Sequence, residues 1–155
     1  MGDALRRRIL QTRFESASQE ALLNLMVAAD HLHSRIEQAC AEFGISGSQY
    51  NVLRILRGVH PDGHPRCEIA RRMIERSPDV TRLTDRLEKR GWVERARGSR
   101  DRRLSVSRIT PAGLALVERM GRVVEAVHEE FAARLSHDDC RELSRICEAI
   151  YGEGG

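Results

Sequence analysis

Ser77-Pro78 and Gly91 cut the middle of this chain into two short helical stretches with almost no loop between them, and few folds use such a pair. Pro65 suits the first position of one helix, with Ile69, Ala70, Met73 and Ile74 as its inward side. Ser77 then reads as the N-cap of the next helix and Pro78 as its first residue. Val80, Leu83 and Leu87 form that helix's buried stripe, and Gly91 ends it. The opposite face carries Thr81, Arg82, Asp85, Arg86 and Lys89.

Charge is segregated around this pair. Between residues 66 and 108 there are fourteen Arg or Lys against seven Asp or Glu, a local +7 in a chain whose formal net charge is only +3. A basic face of this kind is the electrostatic footprint of a nucleic-acid binder, although a solvated charged surface gives the same count. Arginine supplies almost all of it, with Lys89 the only lysine, and the same bias runs through the rest of the chain.

Two short β-type runs follow, residues 92–96 and 104–109, joined by the Arg-rich stretch 97–103. They predict a hairpin with a long basic tip. The flanks are helical. Apolar residues at threes and fours from Phe14 to Phe43 predict one long helix ending at Gly44, and Ser46 with Gln49 predicts a capping box opening a second helix that stops near Gly58. Residues 60–64 read as a turn. Thr110-Pro111 opens another long helix with the seam Leu116, Met120, Val123, Val124, Val127 and Phe131, and Ser136 opens a last one carrying Cys140, Leu143, Ile146, Cys147 and Ile150. With 155 residues, one domain is expected. The long end helices have apolar seams that need a partner, and a second copy is the simplest one.

A short-turn helix pair with a polar, basic second helix is the layout in which a recognition helix enters the major groove, and the basic hairpin behind it would be a wing on phosphates or the minor groove. The run DVTRLTDRLEKRGWVER at 79–95, then Asp101-Arg102-Arg103 and Ile109-Thr110-Pro111-Ala112-Gly113, resembles the MarR family of winged helix-turn-helix transcriptional regulators. The resemblance implies a mainly α fold with a small β-hairpin wing. Residues 46–109 would form the DNA-binding lobe, and 12–45 and 110–152 the dimerisation helices of a homodimer on a pseudo-palindromic site. It also implies that Asp101 braces the wing by pairing with a nearby arginine and that Arg103 enters the minor groove. This chain differs from the family at Ile74, where a small residue is frequent in the turn, at Ser107, where valine is common, and at Pro78, which restricts the start of the recognition helix.

The DNA-contacting set expected from these residues is Ser77, Asp79, Thr81, Arg82, Arg86 and Lys89 on the helix, with Arg97, Arg100, Arg102 and Arg103 on the wing. The family's responses to aromatic acids, metals or oxidants open three sensing schemes. By analogy with the family, a pocket between the first, second and fifth helices and the DNA-binding lobe would be lined by His33, Tyr50 and Arg54 and take a small aromatic or amphipathic effector; Tyr50 fits an ordinary core position equally well. Cys67, beside Arg66 in a first helical turn, is the candidate redox thiol, against the commoner role of cysteine as a small apolar residue. No His pair stands at i, i+4 on a helix, since His60 and His64 flank a turn, so no metal site is expected, nor any cofactor.

An enzyme is not expected, since no Gly-rich phosphate loop or nucleophile elbow is present and Glu129-Glu130 and Asp138-Asp139 diverge on helices. A redox-responsive regulator and a helical interaction protein without DNA affinity stay as alternatives to a ligand-released repressor. Arg6, Arg7 and Arg8 precede only Ile9-Leu10, so neither a signal peptide nor a membrane span is expected and the protein is placed in the cytoplasm.

Overall fold

The computed structural model describes residues 3–76, 79–98, 103 and 105–152. The elements run α1 (Asp3–Ile9), α2 (Ala17–Ala41), α3 (Gly47–Arg57), α4 (Arg66–Arg72), α5 (Val80–Lys89), β1 (Val93–Arg97), β2 (Ser105–Ile109), α6 (Pro111–Ala132) and α7 (His137–Tyr151). No helix among the described residues is long and apolar enough to cross a membrane.

Most helix starts are set by side-chain caps that satisfy the first backbone N–H groups. Ser16, Ser46, Thr110 and Ser136 each accept from the backbone N–H three residues on, and Ser46–Gln49 and Ser136–Asp139 complete reciprocal capping boxes. The long N-terminal helix starts at Ala17 rather than Phe14, because Ser16 captures the Gln19 N–H. The separate α1 ahead of it was not expected. Seven residues with three arginines and one buried side chain, Leu5, carry little periodic signal.

The core is built around α3. Val52, Leu53 and Leu56 are fully buried there, packed with Cys40 of α2, Ile69 of α4, Leu87 of α5, and Val117 and Met120 of α6. Two expectations for α4 fail. Its Pro65 is the N-cap rather than the first helical residue, and the helix ends at Arg72, so that Met73 turns inward while Ile74 is 80% exposed. Ala70 also faces solvent. The helical spacing that aligned Ile74 with Ile69 and Ala70 lapses because Met73 is already extended, with ψ of 141°.

β1 and β2 pair antiparallel from Val93 opposite Ile109 to Arg97 opposite Ser105. The segment read as a plain turn contributes a third edge: His64 and Ser107 exchange backbone hydrogen bonds of 3.0 and 2.9 Å. Gly63 makes this approach, at φ +80°, with the Ser107 carbonyl oxygen lying where a Cβ would stand.

The hairpin returns into α6 through Thr110, whose hydroxyl donates to the Gly91 carbonyl at 2.6 Å and accepts from the Gly113 N–H at 3.1 Å. At Gly113 a Cβ would collide with the Trp92 carbonyl oxygen and stand 2.8 Å from Ile109 Cγ1. Gly113→Ala is therefore expected to destabilise the chain by about 1–3 kcal/mol, since α6 and β1 must separate to admit the methyl. An unchanged denaturation midpoint would contradict that close packing.

Candidate nucleic-acid interface

α5 displays one polar face because its other face is tied down. Leu87 is fully buried, Val80 and Thr84 are buried, and the Thr84 hydroxyl is satisfied internally by donation to the Val80 carbonyl at 2.9 Å. Thr81, Arg82, Arg86 and Lys89 project to solvent on the side away from them. The N-cap is Asp79, not Ser77 as expected: its carboxylate accepts from the Arg82 N–H at 3.0 Å, and the helix begins at Val80. An ionised carboxylate also suits the positive end of the helix dipole. Asp79 is thus placed at the helix end with its carboxylate occupied by the cap. Ser77 itself lies outside the described residues.

The basic residues of the middle segment divide by what they touch. Arg66 and Arg95 both pair with Asp85, the first at 3.3 Å, and Arg95 Nε also meets Glu88 at 2.9 Å. Asp85 and Glu88, three apart on α5, share a side turned toward the wing. Hence Asp85, expected on the exposed face, helps fasten β1 and α4 to α5. Arg90 donates to the Gly44 carbonyl at 2.7 Å and lies 4.0 Å from the Trp92 ring centroid, so it anchors the end of α5 to the α2–α3 corner. Arg71 and Arg72 pair with Glu68. By contrast, no acidic partner engages Arg86 or Lys89 among the described residues, and Arg82 meets only the capping Asp79, at 3.9 Å.

Sequence inspection missed Asp85, Glu88, Arg90 and Arg95 as positioning groups. The i, i+3 carboxylates and an arginine just past the helix were the available signal. The expected brace Asp101 lies outside the described residues, as do Arg100 and Arg102. Arg97 is exposed at the end of β1, and its carbonyl accepts from Arg108 Nη2 at 3.2 Å; Arg103 is exposed in the turn between the strands.

The sensing candidates separate as well. A cavity of about 370 Å³ lies between α2, the start of α3 and the turn leading to α5, lined by His33 together with Ile36, Asn51, Met73, Ile74 and Glu75 among others. Tyr50 and Arg54 are not in this lining. Tyr50 belongs to the core, where burial raises its phenol pKa, and Arg54 is exposed on α3. Their helical spacing from the pocket residues is right, but α3 turns its inner face to the core and only its first turns to the cavity. Cys67 is exposed on α4. Cys40 is the contrasting thiol: burial, with the Glu37 charge beside it, pushes its pKa up to about 11.

Residues 45–105 match the MarR family. A MarR transcription factor from Planctomyces limnophilus is 40% identical in a solved structure that superposes with a TM-score of 0.66, covering 88% of this chain and 99% of that one. The HTH-type transcriptional regulator PapX of Escherichia coli is 28% identical over 81% of this chain and 79% of its own. A mutant Escherichia coli MarR complexed with operator DNA shares the fold, with a TM-score of 0.70 at 23% identity, covering 82% of this chain and 90% of that one. Together with an exposed polar helix face beside a braced hairpin, these similarities identify the chain as a member of the MarR family, a DNA-binding transcriptional regulator and not an enzyme.

Proposed function

We propose that the protein is a cytoplasmic repressor that binds a pseudo-palindromic operator as a homodimer and leaves it when a small molecule occupies the cavity between α2, α3 and residues 73–75. The observation that carries this is the exposed face of Thr81, Arg82, Arg86 and Lys89, held over a fully buried Leu87 and next to a wing presenting Arg97 and Arg103. Guanidinium forks and a short hydroxyl on a rigid helix suit base edges and phosphates in the major groove, and wing arginines suit the backbone. Residues 46–109 serve as the DNA-binding lobe, and 12–45 with 110–152 as the dimerisation part. Two recognition helices must stand about 34–36 Å apart to meet successive grooves, so a change in their separation alters affinity without touching a base contact.

Release by a ligand has a physical route. Residues 73–75 line the cavity on the stretch of chain that leads to the Asp79 cap of α5, and three contacts tie them to the helices behind. Asn51 Oδ1 accepts from the Ile74 N–H at 3.0 Å, the Ser48 hydroxyl donates to Glu75 at 3.3 Å, and His33 Nδ1 lies 3.3 Å from Glu75. An occupant that breaks these ties frees the entry to the recognition helix.

Selection of bound duplexes from a random library, followed by a salt titration, tests the DNA reading. The expected product is an inverted repeat with half-sites one helical turn apart; recovery of no motif, with binding lost at physiological salt, would overturn it. On the selected site, Arg86→Ala is expected to cost about 1–3 kcal/mol of affinity and to relax preference at one position in each half-site. Equal losses on every sequence would assign Arg86 to phosphate instead.

A further inference from the structure

We infer that the cavity between α2, the start of α3 and residues 73–75 selects an apolar, ring-bearing organic cation rather than the aromatic acid that its family resemblance suggests. This rests on the proposal that the cavity is the effector seat, and it adds the charge class of the effector. The size is suitable for one: about 370 Å³ falls in the range of small-ligand pockets.

The walls are mostly apolar. Ala29, Leu32 and Ile36 come from α2, and Met73 and Ile74 from the turn before α5. Ile74 is 80% exposed in spite of its size, so part of this apolar wall stands uncovered. A ring placed there would remove apolar surface from water, which is the favourable part of binding.

The polar end decides the sign of the ligand. Glu75 lines the cavity, and Glu37 stands behind it, accepting from the Gly47 N–H at 2.8 Å. His33 sits between the two carboxylates, 3.3 Å from Glu75 and 4.0 Å from Glu37. Even with a protonated imidazole, two carboxylates and one cation leave this end net negative. Ser48 and Asn51 add no charge, and no lysine or arginine is among the described lining residues. Among the described lining residues a carboxylate ligand would find no cation beyond His33, and it would face Glu75 directly. An ammonium group instead takes the place of the imidazole on Glu75 and gains a charge-assisted hydrogen bond.

The same exchange detaches Glu75 from His33. The bond that recognises the cation is thus one of the ties that fix the turn ahead of α5, which gives recognition and release a shared atom pair.

Three probes of one shape test this on the full-length protein by calorimetry: 2-naphthylmethylamine, protonated at neutral pH, the neutral 2-naphthylmethanol, and 2-naphthoate. The amine is expected to bind about tenfold tighter than the alcohol, and the naphthoate more weakly than either. Glu75→Gln keeps the Ser48 contact and should bring the amine and alcohol together, and Glu75→Lys should make the naphthoate the preferred ligand. Naphthoate binding as tightly as the amine, no binding by any probe, or an amine preference that survives both substitutions would each overturn the inference. Fluorescence anisotropy of operator DNA separates the two levels. Amine binding that leaves operator affinity unchanged supports the charge class and refutes ligand release, whereas naphthoate that dissociates the complex refutes the charge class and supports release.

Discussion

Placing aspartate at Ile146 and Ile150 together is expected to leave the protein folded but monomeric and to weaken operator binding by two orders of magnitude or more. α7 buries none of its residues against the rest of its own chain. Leu143, Ile146 and Ile150 are nonetheless apolar at helical spacing and 37%, 43% and 63% exposed, and Tyr151 is 74% exposed. Leu22 and Met26 on α2 repeat the pattern at the other end of the chain, at 57% and 60%. Burying each isoleucine in a subunit interface contributes about 1.5–3 kcal/mol, and an ionised carboxylate put there instead must be desolvated. The loss of the second recognition helix then removes an effective-concentration advantage of about 10²–10⁴. Sedimentation velocity reads the mass and anisotropy reads the affinity, while circular dichroism reports whether the lobe around α3 is intact. A double variant that stays dimeric, or a monomer with undiminished operator affinity, would rule out the terminal helices as the dimer interface.

Much of the architecture is visible in local chemistry. The Ser46–Gln49 box, the Thr110-Pro111 start and the Gly44 turn at φ +69° are short-range devices, and each acts where its residues stand in the chain. The hairpin also follows from two runs and the polar stretch between them, with strand limits displaced by one residue. The errors lie where a remote partner decides. Asp85 is as polar as Arg86 and one residue away, but Arg66 and Arg95 draw it to the wing side. Ile74 satisfies a helical period, yet the backbone has already left the helix at Met73. Tyr50, for which pocket and core were both open, stands one residue from Asn51 of the cavity wall and takes the core position. Single-residue rotations of this kind need the packing of a second element, which no spacing rule contains. The family motif at 109–113 shows the converse case, since Gly113 is required by the backbone of Trp92, some twenty residues earlier.

The second large effect concerns the seat of α5. Leu87→Ala is expected to destabilise the chain by about 2–5 kcal/mol, because Leu87 is fully buried and the cavity left beneath α5 is bounded by elements fixed elsewhere. Native domains hold only about 5–15 kcal/mol in total, so this one side chain commands a large share. The position also couples stability to DNA affinity. Leu87 lies one residue from Arg86 and two from Lys89, and the Trp92 N–H donates to its carbonyl at 3.1 Å, so it joins the exposed face to the root of the wing. A folded Leu87→Ala protein should therefore bind its operator more weakly at temperatures well below its unfolding midpoint, because the helix is less firmly held. Leu87→Met supplies the control: nearly the same volume costs under about 1.5 kcal/mol and should retain operator affinity. Chemical denaturation gives the stability of both variants, and anisotropy at low temperature gives affinity. A stable Leu87→Ala protein would mean that α5 is held chiefly by the Arg66–Asp85–Arg95–Glu88 pairs at its edge. Those pairs are about 40–50% exposed at most groups, and ion pairs in that setting contribute about 0–1 kcal/mol each, so the buried leucine is expected to dominate.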